Sequence, residues 1–500
     1  MKNLVKLINL LLLISILFIK SMAVAEEISP TVLDKAKKSI VTINTRIALS
    51  AYKNVGSWSG TGFITDKSNG FIVTNNHVVG RASIGTYCVT FYNGQKAEAK
   101  LVYYDNWQDY AILKINPTEI PASSEEIIFS ASTAKLNQSV LVVGNTEAQD
   151  FSFHTGYISS LYEINGEMPQ CSYVINLNTA GGASGSPVLN DKNEAIGVLY
   201  GGGKTYAFAL NSRYVIYALA ALKKGKMPSR KHMGIISELY SLGAAVKHRH
   251  FPREQMTEYL KKFPDARNRV VHVQSIMAGS TANGILKAGD IIWEIDGNIL
   301  GGSLVVLDKA MDEAVDNSVK LTIYRDGQRI ETTVKLYDVN KYKVSQMLDF
   351  AGAIFFETDD YASAKSGAPL GSLAITNVQT GSSFSKIPVP FIFEDKSLYR
   401  VVVRSIGGYK VKSLDDLIKI VPDIVNQKYV DLKFKNYLPY YQEFDRIFVS
   451  SQDEFVTDIT FSSVEAKPRV LKYNATIQEW VAEDIVNLNQ NIPPDHLAKD

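Results

Sequence analysis

The chain has 500 residues, of which 46% are hydrophobic and 21% charged, as expected for a soluble protein with two to four domains. Its 53 lysines and arginines nearly balance 51 aspartates and glutamates, which argues against the clustered basic surface of a nucleic-acid-binding protein. Its 2 cysteines are too few for a disulfide scaffold or a cysteine-based zinc cluster. Composition therefore excludes disordered, fibrous and multi-span membrane proteins, but it does not indicate a function.

The N-terminus has the pattern of a secretory signal peptide. Lys2 and Lys6 precede an apolar run over residues 7–19, and small residues occupy positions 23–25 in the arrangement that signal peptidase cleaves. As a helix the run would span about 20 Å, less than the roughly 30 Å hydrocarbon core of a bilayer. We therefore assign residues 1–25 to a signal peptide and expect an exported protein. A retained membrane anchor is the alternative.

Short apolar runs separated by glycine, asparagine and aspartate follow a predicted helix at residues 30–38 and continue to residue 199. This pattern predicts an all-β domain over residues 26–222. A basic stretch with glycine and proline follows at residues 223–231 and is predicted to be a solvated linker.

Beyond the linker, strand patterns alternate with helical ones, and Asp326-Gly327 marks a hairpin turn between two strands. This half is predicted to hold an α+β domain, a weaker copy of it and an extension, at residues 232–340, 341–440 and 441–500. The extension is predicted to include a helix over residues 477–488.

Three motifs place candidate catalytic side chains in the order histidine, aspartate, serine. His77 follows a β-branched strand, Asp109 precedes a buried strand, and Ser184 lies in a glycine-flanked turn. A serine hydroxyl becomes a useful nucleophile when a neutral imidazole takes its proton and a carboxylate holds that imidazole in the right tautomer. The turn at Gly182 would aim the backbone N–H groups of Gly182 and Ser184 at the developing oxyanion.

With these residues in this order, the segment 30–222 resembles a chymotrypsin-fold serine protease. More narrowly, it resembles the HtrA/Deg family of periplasmic and organellar serine proteases. The resemblance implies a double β-barrel in which His77 is the general base, Asp109 orients it and Ser184 is the nucleophile. It also implies peptide hydrolysis without a cofactor or metal, and the periplasm as the compartment, with a signal anchor in the inner membrane as the alternative.

The specificity pocket is expected near Asn178, which precedes the nucleophile by six residues. Asn178 is uncharged, which argues against selectivity for arginine or lysine. Gly201 and Gly202 would form an open pocket wall. We expect a small or medium apolar P1 residue, while Lys204 and His154 favour an acidic one as the alternative.

Met233-Gly234-Ile235 resembles the loop with which PDZ domains bind a peptide C-terminus, where backbone N–H groups hold the carboxylate. The resemblance implies a PDZ domain over residues 232–340. Residues 350–354 are a weaker candidate for a second such loop. Residues 341–440 are therefore expected to form a degenerate PDZ-like domain used for assembly, with an insertion at 388–398.

The fold expected overall is mainly β, a chymotrypsin-like double β-barrel followed by two PDZ-like α+β domains. The expected function is degradation of unfolded or misfolded proteins by an exported serine endopeptidase, with a homo-oligomeric assembly and no nucleic-acid partner. The alternative is a proteolytically silent chaperone or peptide-binding scaffold in which the unusual turn at residues 183–186 distorts the oxyanion hole. Cys88 and Cys171 either pair with each other or stay free as small core residues.

Overall fold

The computed structural model describes residues 30–52, 55–81, 83–146, 149–166, 168–387, 400–427, 429–442, 447–461 and 467–485. The predicted signal peptide and the insertion at 388–398 lie outside these residues. No helix in the described ranges is long and apolar enough to cross a membrane.

Two closed β-barrels of six strands each form the first half of the chain. The first barrel consists of β1 (Ile40–Ser50), β2 (Gly56–Asp66), β3 (Phe71–Thr74), β4 (Ser83–Phe91), β5 (Lys96–Asp105) and β6 (Tyr110–Lys114). The second consists of β7 (Ser139–Thr146), β8 (Gln149–Asn165), β9 (Gln170–Asn176), β10 (Pro187–Leu189), β11 (Ala195–Gly202) and β12 (Ala207–Asn211). Helix α1 (Pro30–Ser39) precedes them and α2 (Arg213–Leu222) follows. The mainly β, double-barrel prediction is confirmed.

An α+β domain follows, built on a sheet with the strand order β14-β15-β16-β18-β19. Its strands are β13 (Lys231–His232), β14 (Ile235–Ser241), β15 (Arg269–Ile276), β16 (Ile291–Ile295), β17 (Asn298–Ile299), β18 (Ser318–Arg325), β19 (Gln328–Lys335) and β20 (Tyr337–Asp338). Its helices are α3 (Leu242–His248), α4 (Arg253–Lys262) and α5 (Leu304–Glu313). The predicted hairpin turn is present: Asp326 and Gly327 have φ of 48° and 78°, as a type I′ turn requires.

The third sheet runs in the order β27-β26-β24-β23-β22-β21-β28-β29. Its strands are β21 (Gln346–Phe350), β22 (Ala353–Glu357), β23 (Leu373–Thr376), β24 (Arg400–Ile406), β25 (Tyr409–Lys410), β26 (Tyr429–Gln442), β27 (Ile447–Thr460), β28 (Arg469–Asn474) and β29 (Glu479–Asp484). Helices α6 (Asp360–Ser366) and α7 (Leu414–Ile424) belong to the same domain. The sheet continues past residue 440, because β27, β28 and β29 all pair within it. The predicted helix at 477–488 is wrong over residues 479–484, which pair with β28 instead.

Residues 350–354 do not form a second peptide-binding loop. Phe350 pairs with Ala353, so Ala351 and Gly352 are the turn of the β21–β22 hairpin. Strand β22 is paired with β21 on one side and β23 on the other. A PDZ domain binds a peptide by adding it to a free strand edge, and β22 has no such edge.

The linker prediction needs a correction at its end. Arg230 is only 3% exposed and contacts two carboxylates, Asp105 of the first barrel at 2.9 Å and Asp312 of α5 at 3.0 Å. A buried charge has to be paired, and these two carboxylates pair with Arg230. The end of the predicted linker is therefore packed between the first barrel and the α+β domain, and it is not solvated. Apolar residues of the two barrels, of α2 and of the α+β domain, among them Tyr214 and Leu304, belong to one continuous core.

Candidate active site

The ends of β3 and β6 bring His77 and Asp109 into contact. His77 Nδ1 lies 2.6 Å from Asp109 Oδ2, and the backbone N–H of His77 donates to Oδ1 at 2.9 Å. The carboxylate can only accept, so the ring nitrogen facing it carries the proton and Nε2 is left as the basic nitrogen. The histidine side chain is 31% exposed and the aspartate 5%, which places the base at the surface and its partner inside.

Asp109 is held from several directions. Its backbone has a positive φ of 50°, and its carbonyl accepts from the Asn75 side chain at 2.9 Å and the Asn76 amide at 3.2 Å. Arg81 Nη2 lies 3.6 Å from Oδ1. Burial alone would raise the pKa of Asp109, but the charges of His77 and Arg81 and the hydrogen bonds from His77 outweigh burial and lower it. The carboxylate is therefore kept ionised.

The turn that carries Ser184 depends on its glycines. Gly182 and Gly185 have φ of 93° and 90°, values that residues with a Cβ rarely adopt. Ser186 is fully buried, and its hydroxyl donates to the carbonyl of Ala183 at 2.6 Å. Ser186 thus stabilises the conformation of the turn.

Thr61 of β2 fastens this turn to the first barrel. Its Oγ1 donates to the carbonyl of Gly182 at 2.7 Å, and its amide donates to the carbonyl of Ser184 at 2.9 Å. Thr61 Oγ1 also accepts from the amide of Asn145 at 2.9 Å. The position of Thr61 between two glycines is the one sequence signal that could have marked it as a functional residue.

The serine hydroxyl faces a neighbouring strand. Ser184 Oγ donates to the carbonyl of Tyr200 at 3.4 Å, and within the described residues it makes no hydrogen bond to His77. Among the described residues, the backbone N–H groups of Gly182 and Ser184 donate to no backbone acceptor. Two N–H groups beside the serine are therefore available to a ligand oxygen.

A cleft of about 540 Å³ opens at this point. Its walls come from both barrels and include His77, Asp109, Arg81, Trp58, Tyr200 and Gln170. Ser184 is not among the described residues that line the cleft, but its Oγ contacts the carbonyl of Tyr200, which does line it. The cleft is large enough to take a peptide segment.

A second cavity of about 400 Å³ contains Asn178, together with His154 and Lys37. Gly201 and Gly202 are not among the described residues that line it. Gly202 has a φ of 154°, and a Cβ there would lie 2.5 Å from the carbonyl oxygen of Tyr206, so glycine is required by local packing. The three predicted pocket residues therefore do not meet in one cavity.

The predicted carboxylate loop of the α+β domain is partly occupied by its own chain. Gly234 has a φ of 82°, and its amide donates to His232 Nδ1 at 2.9 Å. Burial and the charge of Arg230 lower the pKa of His232 to about 3, which keeps this nitrogen an acceptor. Met233 is fully buried and Ile235 begins the strand paired with β15. A peptide carboxylate would have to displace His232 to reach the Gly234 amide.

The two cysteines do not pair. Cys88 lies in β4 and Cys171, which is buried, in β9. Burial raises the pKa of the Cys171 thiol to about 12. Among the described residues no cluster of histidine, cysteine or acidic side chains could hold a metal ion.

Comparison with known proteins gives two family matches. The trypsin-like peptidase domain matches residues 60–198 and the PDZ domain matches residues 242–336. An uncharacterised protein of Rickettsia prowazekii is 44% identical over 187 residues, which are 37% of this chain and 96% of the relative. The pro-apoptotic serine proteases NMA111 of Vanderwaltozyma polyspora and Saccharomyces cerevisiae are 27% identical over 422 and 389 residues, or 80% and 75% of this chain. The chain spans 40% and 37% of the length of these two yeast relatives.

Two solved structures are also similar. The serine endoprotease from Yersinia pestis is 20% identical with a TM-score of 0.41, covering 61% of this chain and 96% of that one. The HtrA-type protease AlgW with a tripeptide is 18% identical with a TM-score of 0.44, again covering 61% and 96%.

Paired barrels, a histidine–aspartate pair and a glycine-flanked serine turn beside them define a chymotrypsin-fold serine endopeptidase, here followed by a PDZ domain. The chain thus combines a trypsin-like peptidase domain with a PDZ domain, and it is similar to proteins named serine protease and HtrA-type protease.

Proposed function

We propose that the protein is an exported serine endopeptidase that degrades unfolded or misfolded polypeptides, with Ser184 as nucleophile, His77 as general base and Asp109 as its orienter. The observation that supports this most directly is the 2.6 Å contact between His77 Nδ1 and Asp109 Oδ2 beside the Ser184 turn. The contact leaves Nε2 of a partly exposed imidazole as the proton acceptor.

The proposed chemistry follows from this arrangement. The Ser184 hydroxyl leaves the Tyr200 carbonyl, gives its proton to His77 Nε2 and attacks the scissile carbonyl. The free amides of Gly182 and Ser184 stabilise the oxyanion that forms. His77 then passes the proton to the leaving amine, and water releases the acyl group by the same steps in reverse order.

The substrate class is suggested by the cleft and the PDZ domain. An open cleft of about 540 Å³ accepts an extended chain but not a folded domain, so unfolded polypeptides are the natural substrates. Peptide C-termini would bind the first PDZ domain at Met233, Gly234 and Ile235 once His232 moves. A homo-oligomer and a periplasmic location complete the proposal.

One observation favours a second candidate, a proteolytically silent chaperone of the same fold. Ser184 Oγ is hydrogen-bonded to Tyr200 and not to His77. A hydroxyl that stays in this position would not be activated.

A fluorophosphonate probe and casein digestion separate the two candidates. The wild-type protein should become labelled and should digest casein, whereas Ser184→Ala should do neither. A wild type that is neither labelled nor proteolytic in any assembly state, yet suppresses aggregation of a denatured protein, would establish the chaperone instead. Cell fractionation with N-terminal sequencing of the mature chain tests export, since cleavage should follow position 25.

A further inference from the structure

The third domain reaches the catalytic loops through the start of α6. Tyr361, 7% exposed, accepts a hydrogen bond from Arg81 Nη1 at 2.9 Å. The Arg81 guanidinium also lies 4.8 Å from the centre of the Tyr361 ring. The other terminal nitrogen of the same guanidinium lies 3.6 Å from Asp109 Oδ1. One arginine therefore connects α6 with the carboxylate that orients His77.

A second connection leads from the same helix to the backbone of Asp109. Asp359, which caps α6, accepts from Asn106 Nδ2 at 2.8 Å. Asn106 Oδ1 in turn accepts from Asn76 Nδ2 at 2.8 Å, and the Asn76 amide donates to the Asp109 carbonyl at 3.2 Å. Asp359, Asn106 and Asn76 are all at most 5% exposed, so water does not compete for these bonds.

The Arg81 side chain requires contacts from outside its own loop to hold a fixed conformation. It sits on a loop with a positive φ of 45°, and a free arginine side chain has about 2 kcal/mol of rotamer entropy to lose. The Tyr361 ring and hydroxyl fix the guanidinium before substrate arrives. Catalytic geometry that is set in advance does not have to be organised during the reaction.

We infer that Tyr361 and Arg81 are positioning residues, and that docking of the third domain is required for a competent His77–Asp109 pair. This inference rests on the proposed proteolytic function. The third domain would then act as part of the active site without contacting substrate.

The test compares two tyrosines of the same interface. Tyr361→Phe removes the hydroxyl that holds Arg81. Tyr337→Phe is the matched control, because among the described residues its hydroxyl makes a hydrogen bond only to the neighbouring Asp360 Oδ1, at 2.6 Å. Tyr361→Phe should lower kcat on the order of 10- to 100-fold with KM unchanged, and Tyr337→Phe should retain the wild-type kcat.

A double-mutant cycle identifies the route. Arg81→Gln should lower kcat by a similar factor, and adding Tyr361→Phe to it should change nothing further, because the hydroxyl acts through the arginine. Equal losses in Tyr361→Phe and Tyr337→Phe, unchanged kcat in Tyr361→Phe, or additive losses in the double variant would overturn the inference.

A spectroscopic measurement keeps the inference testable if the protein is proteolytically silent. The proton between His77 Nδ1 and Asp109 Oδ2 should give a far-downfield signal in a one-dimensional proton NMR spectrum. Tyr361→Phe should shift or broaden that signal, whereas Tyr337→Phe should leave it in place. An identical signal in wild type and Tyr361→Phe would refute the positioning role, whatever the outcome of the casein assay.

Discussion

The hydroxyl of Thr61 donates a 2.7 Å hydrogen bond to the carbonyl oxygen of Gly182. This bond crosses from the first barrel to the turn of the second barrel that carries Ser184. It fixes the orientation of the turn whose amides are proposed to form the oxyanion hole. The two barrels are therefore hydrogen-bonded to each other at the turn that carries the proposed nucleophile, Ser184.

Thr61→Val should weaken catalysis more than it weakens the fold. Without the hydroxyl the Gly182 carbonyl loses its donor and the turn can rotate, so kcat should fall on the order of 10- to 100-fold while KM stays the same. Thr65→Val is the control, because Thr65 lies on the same strand but donates to the carbonyl of Ile127 at 3.0 Å. Both variants should be assayed for casein digestion and for thermal midpoint. Equal activity of the two variants would show that the Thr61 bond does not organise the turn.

Most of the features that could be predicted from the sequence, namely the candidate catalytic residues and the hairpin turn, lie in short local motifs. His77, Asp109 and Ser184 each stand next to a strand or a glycine turn, so their neighbours along the chain reveal them. The type I′ hairpin at Asp326-Gly327 was predictable for the same reason. Their catalytic roles remain predictions until they are tested.

Contacts between residues far apart in the sequence could not be predicted from local motifs. Tyr361 is hydrogen-bonded to Arg81, although the two residues are 280 positions apart in the sequence. No motif near either residue indicates this contact. Arg230 was expected in a solvated linker because its neighbours in the sequence are polar. In the structure it is buried and forms ion pairs with Asp105 and Asp312. The misassigned helix at residues 479–484 is a strand because β28 offers it a pairing edge.

Arg230 should be among the costliest residues to replace. Arg230→Met would leave Asp105 and Asp312 buried without their common cation, which typically costs about 3–5 kcal/mol. Urea unfolding followed by fluorescence would measure the loss. Arg329→Met is the control, because Arg329 pairs with Glu331 on the surface and its loss should leave the midpoint unchanged. A similar midpoint for both variants would mean that the buried ion pairs do not secure the interface.

The contribution of Asp360 to stability should fall as pH rises through the weakly acidic range. Burial raises the pKa of Asp360 to about 7, with the nearby charges of Asp359 and Asp105 acting in the same direction and a hydrogen bond from Tyr337 against it. An unfolded aspartate has a pKa of about 3.9. Between these values Asp360 holds a proton in the folded protein that the unfolded chain has released, so its contribution to the free energy of unfolding decreases from about pH 4 to pH 7. Lys343, whose pKa burial lowers to about 8, acts only at higher pH.

Asp360→Asn tests this pH dependence. The variant lacks the titrating carboxyl, so the unfolding free energy of the wild type minus that of Asp360→Asn should decrease between pH 5 and pH 7, by an amount on the order of a few kcal/mol. Asp415→Asn, at an exposed position of α7, should keep the wild-type slope. A wild-type slope in Asp360→Asn would assign the pH dependence to other groups.

Gly185→Ala should abolish labelling of Ser184 while the two barrels stay folded. The residue has a φ of 90°, and a Cβ there would lie 1.9 Å from the Thr61 carbonyl oxygen and 2.6 Å from Thr74 Oγ1. A backbone atom cannot move away as a flexible side chain can, so the turn itself must shift and carry the serine out of position. Gly181→Ala is the matched control, since a Cβ at Gly181 meets nothing within 4 Å, and it should be labelled at the wild-type rate. Far-ultraviolet circular dichroism of both variants establishes that the fold is retained. Rapid labelling of Gly185→Ala would mean that the turn tolerates the displacement, and that Ser184 is activated without the geometry described above.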